Sequence, residues 1–415
     1  MLGSASAAPA QSLPEPRFTT FSPREAGGPV AVADRPQPLY EPAGIPAGSF
    51  RIFPSVQAGL FLDSNVFQSR VSQDQDAALF LRPRVEARND WATGELRLWA
   101  DSTIRRYASN GTENSEQIAA GLRARHDLRR GAEIAVAADA GRFIEERTSN
   151  FTVSDTLKPV VFDRIHGSVL ADLEFGRARL AAAADVTRWA YHDARSRFDP
   201  SVTIVQRTRT RTEVEPRVQL SYDLSPDTSL ILGASYNQRN YDLETPVDRS
   251  SHGARLAGGF RMRPSPLVHL GFAAGYMWQN YETPLRSVRG VYAEADARWY
   301  PTELTTVSAR LARDVSEAGA ILTSGVIATR AAARVDHEYL RNVILSAGSE
   351  LEWYRFPFLD RRDFRYTLDV TGRYRMNRRM ELNGRLSYLK QSSNGLSSAL
   401  DFSQARFTVS LTLMR

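Results

Sequence analysis

From residue 52 onward, apolar and polar side chains alternate in runs of roughly 10–15 residues, the period of a β-strand with two unlike faces. In one run Phe364, Tyr366, Leu368, Val370, Gly372 and Tyr374 share a face. Arg365, Thr367, Asp369, Thr371, Arg373 and Arg375 share the other. Val291, Ala293, Ala295, Ala297 and Trp299 alternate in the same way with Tyr292, Glu294, Asp296 and Arg298. Eighteen such runs cover 52–62, 77–88, 94–107, 115–128, 132–146, 162–175, 178–191, 206–224, 228–241, 251–262, 267–281, 288–300, 303–315, 328–339, 342–355, 363–376, 379–390 and 403–414.

The connections between the runs alternate in length. Short turns lie near Asn89-Asp90, Arg130-Gly131, Gly176-Arg177, Pro226-Asp227, Pro264-Ser265-Pro266, Pro301-Thr302, Arg341-Asn342 and Asn377-Arg378. Long loops lie around 63–76, 108–114, 147–161, 192–205, 242–250, 282–287, 316–327, 356–362 and 391–402. Eight short and nine long connections join eighteen strands with both ends on the short-turn side. Outer-membrane barrels have an even strand number, short periplasmic turns and longer extracellular loops. The expected fold is therefore all-β: a closed antiparallel transmembrane β-barrel of about 18 strands, with 16 as the alternative count. No stretch approaches the roughly 18 consecutive apolar residues of a helical span.

The aromatic residues sort by depth. Trp91, Phe175, Tyr222, Trp299, Tyr339 and Tyr374 fall near short-turn ends; Phe143, Trp189, Tyr236, Trp278, Trp353, Tyr366 and Tyr388 fall near long-loop ends. Two interfacial girdles are expected. The ten residues from Phe364 to Tyr374 extend roughly 33 Å, or about 25 Å of bilayer at a ~40° tilt. A soluble sandwich or propeller is the competing architecture, but a propeller needs a blade-length repeat and none is present. Pro83 and Pro216 sit inside expected strands, where a missing donor calls for a bulge.

Residues 1–50 lack this period and are rich in Pro, Ala, Gly and Ser. They read as a disordered periplasmic arm, leaving 51–415 as the barrel. No signal-peptide apolar core is visible, and an exported protein requires one, so the recorded start is expected to lie downstream of the true one. Basic charge is almost all arginine, with lysine only at Lys158 and Lys390, a bias that a GC-rich genome also explains. The net charge of +6 points weakly to acidic partners.

Strand parity turns a charged set inward. Its expected lumen-lining members are Arg82, Arg84, Arg97, Asp101, Arg123, Arg217, Glu294, Asp296, Arg298, Arg310, Glu350, Glu352, Asp369, Arg373 and Arg385. Such a set can brace the wall through Arg–carboxylate ladders, guide a polar solute, or do both. The chain has no cysteine, and its histidines (His126, His166, His192, His252, His269, His337) have no metal-ligand spacing. No catalytic, cofactor-binding or metal-binding motif appears, and no cofactor is expected. Arginines that alternate with acids do not form the basic stripe of a nucleic-acid surface, so no nucleic acid is expected.

Gly59-Leu60-Phe61-Leu62-Asp63-Ser64-Asn65-Val66-Phe67, followed by Asp74, Asp76 and Leu79-Phe80-Leu81-Arg82-Pro83, resembles the opening of the Putative beta-barrel porin 2 family. Leu62 departs from the aromatic expected before the Asp. The matching motif residues are Asp63, Asn65, Val66, Asp74 and Pro83, with Asp63 and Asn65 expected to shape the first loop. The resemblance implies a Gram-negative outer-membrane channel through which an exopolysaccharide or capsular polymer is secreted, beside a periplasmic polysaccharide-export protein. The lipid bilayer and the polysaccharide would then be its partners, and it would not be an enzyme. The alternatives are a general diffusion porin for small polar solutes and a barrel enzyme acting on lipid or polymer.

Overall fold

A computed structural model describes residues 29–70, 73–149, 155–242, 247–317, 324–357, 359–395 and 401–415. A short β1 (Ile45–Ala47) precedes β2 (Phe50–Asp63), β3 (Asp76–Trp91), β4 (Gly94–Tyr107), β5 (Ser115–Arg129), β6 (Ala132–Ile144), β7 (Val161–Phe175) and β8 (Ala178–Tyr191). Two-residue strands β9 (Ala194–Arg195) and β10 (Thr203–Ile204) pair within the next loop. Then come β11 (Arg211–Ser225), β12 (Thr228–Tyr241), β13 (Ser251–Ser265), β14 (Val268–Tyr281), β15 (Val288–Thr302) and β16 (Thr305–Ser316). The last are β17 (Val326–Leu340), β18 (Val343–Phe356), β19 (Arg361–Asn377), β20 (Met380–Gly395) and β21 (Phe402–Met414).

Each long strand pairs antiparallel with its neighbour, β8 pairs with β11, and β2 pairs with β21 from Ser55↔Met414 to Asp63↔Arg406. The sheet is thus a closed cylinder of eighteen strands, which leaves no backbone edge for lipid to meet. The expected run 206–224 begins too early. Arg207–Arg209 form a 3₁₀ turn, and the strand starts at Arg211. The last long loop is shorter than expected because β20 continues to Gly395. Gly131 (φ 76°) and Gly176 (φ 61°) supply the left-handed residue at two short turns.

One alternating face carries large exposed apolar side chains such as Leu79 and Ile118, each 64 % exposed, an outer surface suited to hydrocarbon. The other face turns its polar side chains inward, where many pair along the same or the adjacent strand. Pro83 and Pro216 need no bulge. Pro83 pairs with Val56 of β2, while the β3–β4 ladder steps from Leu81↔Ile104 to Arg84↔Asp101 in unchanged register. Pro216 pairs with Ala184 of β8, while β11–β12 steps from Val214↔Gln238 to Arg217↔Ser235.

The end of the segment expected to be disordered is in fact placed. Val32 is buried, and its N–H donates to Thr306 Oγ1 at 3.0 Å. Arg35 pairs with Glu338 at 2.8 Å, and Gln37 accepts from Arg375 at 3.0 Å. All three partners belong to the inner face near short turns, so residues 31–37 line the short-turn mouth. β1 then pairs with β2. The rest of the expected arm, residues 1–28, lies outside the described residues.

Candidate functional site

The inner wall combines paired and unpaired charge. Arg84 reaches Glu86 at 3.4 Å and Asp101 at 3.8 Å, Arg97 reaches Glu95 at 3.1 Å, and Arg217 reaches Asp185 at 3.2 Å. Arg82 donates to Gln57 at 3.4 Å. Asp369 lies 3.9 Å from Arg385 and 3.7 Å from Arg334. Glu352 accepts from Tyr354 at 2.5 Å and faces Arg330 at 3.3 Å, and Glu294 accepts from Tyr292 at 2.6 Å. Asp296 and Arg310 are direct cross-strand partners by register. Arg123, Arg298, Arg310 and Arg373 make no ion pair among the described residues, and neither does Glu350.

The motif at the first loop is a weld. The Asp63 carboxylate accepts from Gln404 Nε2 at 2.8 Å, from Arg406 Nη2 at 2.7 Å and from the Asn65 N–H at 3.0 Å. The Asn65 side chain donates to Ser69 O and Ser403 O, each at 2.9 Å, and accepts from Ser69 N at 3.0 Å. Both residues are almost fully buried. They tie the first loop to β21, across the seam that closes the cylinder. Val66 N–H donates to the Asp74 carbonyl at 2.9 Å, and the Asp76 carboxylate takes the Asn110 N–H of the second loop at 2.8 Å.

Other loops turn inward at the same end. Arg105 pairs with Glu146 at 2.6 Å, Arg147 with Glu113 at 2.7 Å, and Arg209 with Glu145 at 2.6 Å. Burial alone would raise the pKa of Glu146, but the guanidiniums of Arg105, Arg406 and Arg82 hold it below its ordinary value.

The β16–β17 hairpin also leaves the cylinder. The β15–β16 ladder stops at Ala293↔Arg313, although β15 runs on to Val288. Asp314 then receives Arg255 Nε of β13 at 2.8 Å. Glu317 receives Arg239 Nη1 and Tyr241 OH of β12, each at 2.7 Å, and Tyr281 OH of β14 at 3.4 Å. Val315 and Ile327 pack with Ile231, Ala257, Ala273, Met277, Val288 and Tyr292. The hairpin end therefore lies across the inner wall of β12–β15. Burial pushes the Glu317 carboxyl up, but Arg239, Arg211 and Arg249 outweigh that and hold it below its usual value. Sequence reasoning missed this cover. The signal was present in Leu256-Ala257-Gly258-Gly259-Phe260 and Gly271-Phe272-Ala273-Ala274-Gly275, which are apolar on both faces of their strands.

Two aromatic residues expected in the outer girdle face inward instead. Phe143 pairs with Phe162, and Trp189 pairs with Arg164, on the same face as Asp139 and Asp185. Phe143 and Phe162 lie 5.7 Å apart between centroids, Phe162 and Trp189 5.7 Å, and Phe162 and Tyr191 5.3 Å. Arg164 sits 4.8 Å from the Phe143 ring and pairs with Asp139 at 2.6 Å. Arg211 sits 5.3 Å from the Trp189 ring and pairs with Glu213 at 2.6 Å. No His/Asp/Glu group among the described residues has the arrangement of a metal site.

A family model described as Putative beta-barrel porin 2 matches residues 37–415. The chain belongs to that family. This porin is an outer-membrane β-barrel protein of the channel type. No curated protein sequence matches it. Solved structures similar to it include Pseudomonas aeruginosa OpdK with vanillate (12 % identity, 88 % of this chain and 99 % of that one, TM-score 0.46). A BenF-like porin from Pseudomonas fluorescens Pf-5 has 11 % identity over 89 % and 99 %, with a TM-score of 0.48. Acinetobacter baumannii OccAB3 has 10 % identity over 89 % and 100 %, with a TM-score of 0.48.

Proposed function

We propose that this porin is a conduit for a surface polysaccharide, exopolysaccharide or capsular, in a Gram-negative outer membrane. An eighteen-stranded cylinder is wide enough to leave an aqueous channel. The observation that carries the reading is the character of the inner wall. Guanidinium–carboxylate pairs recur from the short-turn end (Arg97–Glu95) through mid-wall (Arg217–Asp185) to the long-loop end (Arg164–Asp139), with aromatic rings beside the last. A repeating polymer can exchange one such pair for the next, whereas a single small solute needs only one site. A periplasmic export protein would deliver the polymer at the short-turn mouth, where residues 31–37 lie.

The test is a planar bilayer carrying the full chain, with current recorded before and after polysaccharide is added on the periplasmic side. Transient interruptions of the current support the conduit. Deleting the gene should also abolish surface polysaccharide and leave small-nutrient uptake unchanged. A second reading, a diffusion porin for small anions, is favoured by Arg123, Arg298, Arg310 and Arg373, which make no ion pair among the described residues. It predicts the reverse outcome: slowed uptake and intact surface polymer.

A further inference from the structure

We propose that Phe143, Phe162, Trp189 and Tyr191 form a binding shelf for the pyranose ring of an uncharged glycan, inside the lumen near its extracellular end. The inference rests on the conduit reading and names the chemistry of its cargo.

The lumen side of an outer-membrane barrel is ordinarily polar. Here four rings on three adjacent strands, β6 to β8, break that rule while staying only half-buried. Centroid separations of 5.3–5.7 Å and interplanar angles of 26–42° make them one shallow, offset surface. Rings that served only to fill the wall would be covered by neighbours, as Met277 and Tyr354 are elsewhere on the inner face. These rings keep surface toward the lumen, at a cost in water that a ligand's apolar face would relieve. The C–H face of a pyranose is such a surface.

The edge of the shelf supplies the rest of a sugar's needs. Arg164 sits against Phe143, Arg211 against Trp189 and Arg209 against Tyr191, which leaves Phe162, among the described residues, as the ring without a guanidinium on it, and each arginine is matched by a carboxylate, Asp139, Glu213 and Glu145. Each pair offers donors and acceptors together and carries no net charge, which suits hydroxyl groups. A polymer of either sign would meet a repelling partner in every pair. The in-folded hairpin lies over β12–β15, which begin three strands on from β7 in a circuit of eighteen, and it narrows the passage beside the shelf.

The experiment records single-channel current through the reconstituted full chain. The probes are maltohexaose, an uncharged hexamer, and hexagalacturonate, an anionic one. Maltohexaose should interrupt the wild-type current, hexagalacturonate should do so far less, and Trp189→Ala should weaken maltohexaose block about tenfold, the size of one stacking contact. Trp189→Phe should restore most of it. Phe162→Leu, which keeps bulk but loses the flat ring, should also weaken block and serves if Trp189→Ala fails to fold. Unchanged block in folded Trp189→Ala and Phe162→Leu overturns the shelf. Block by hexagalacturonate alone overturns the uncharged-glycan assignment and leaves a polysaccharide conduit standing. An open channel that neither hexamer blocks overturns both.

Discussion

The inner walls of β12–β15 and of β6–β8 face the same lumen, yet they differ in kind. The first is smooth: Ile231, Ala257, Ala273 and Met277 point inward and are buried beneath the β16–β17 hairpin. The second carries Phe143, Phe162 and Trp189 beside Arg164 and Asp139, and it stays partly exposed. Alternation decides which side chains point inward in both arcs. It does not decide whether the inside is wet. That depends on what folds over the wall, and an inward apolar set is the mark of a cover.

The largest effect should come from charging the smooth arc. Ala273 has no exposed surface, so Ala273→Asp places a carboxylate under the hairpin, directly opposite the acid Glu294. It should destabilise the barrel by several kcal/mol, or expel the hairpin, read as a lower guanidinium midpoint in detergent or a larger conductance. The same change at Ala135, on the uncovered arc and directly opposite Arg125, should change the unfolding free energy by no more than about 1 kcal/mol. Equal losses at the two sites would abolish the distinction.

Glu317→Ala should come next. It strips the acceptor from Arg239 and from the Tyr241 and Tyr281 hydroxyls. The expected loss is about 3 kcal/mol together with a rise in conductance, since a buried charge is left unpaired. Acid should mimic it. The folded-state pKa of Glu317 is depressed, so its contribution is complete above the ordinary carboxylate range and is lost as pH falls through the lowered value. Conductance should therefore be flat from neutral pH down to roughly pH 4 and rise below it. Glu317→Gln should remove that rise, and a rise that survives belongs to another group, such as Glu146. The smallest effect is expected outside the lumen altogether. Arg142 meets Asp163 at 2.7 Å on the exposed outer rim, where solvent screens the pair, and Arg142→Ala should leave the midpoint of the same unfolding assay nearly unchanged.

The cylinder was legible in the sequence because a membrane barrel cannot escape alternation: a lipid-facing residue must be apolar and the next need not be. The inward parity of the charged residues followed for the same reason. Phe143 and Trp189 were misplaced because depth and ring type, which they share with a girdle residue, were read before parity. Phe143 has the parity of Asp139, and Trp189 that of Asp185. The ion pairs of the loops were not legible. Glu145 and Arg209 come from separate loops 64 positions apart, and only the fold brings them to 2.6 Å. Nor was the docking of Val32 and Arg35, which depends on two inward groups at the short-turn mouth rather than on any local period.

The carboxylate of Asp63 finds Gln404 and Arg406 only across 341 and 343 positions of chain, where the two ends of the cylinder meet. A partially built sheet leaves it with the local Asn65 N–H alone, because its side-chain donors come only with the final strand. The motif thus behaves as a latch that engages when the first and last strands of the cylinder meet.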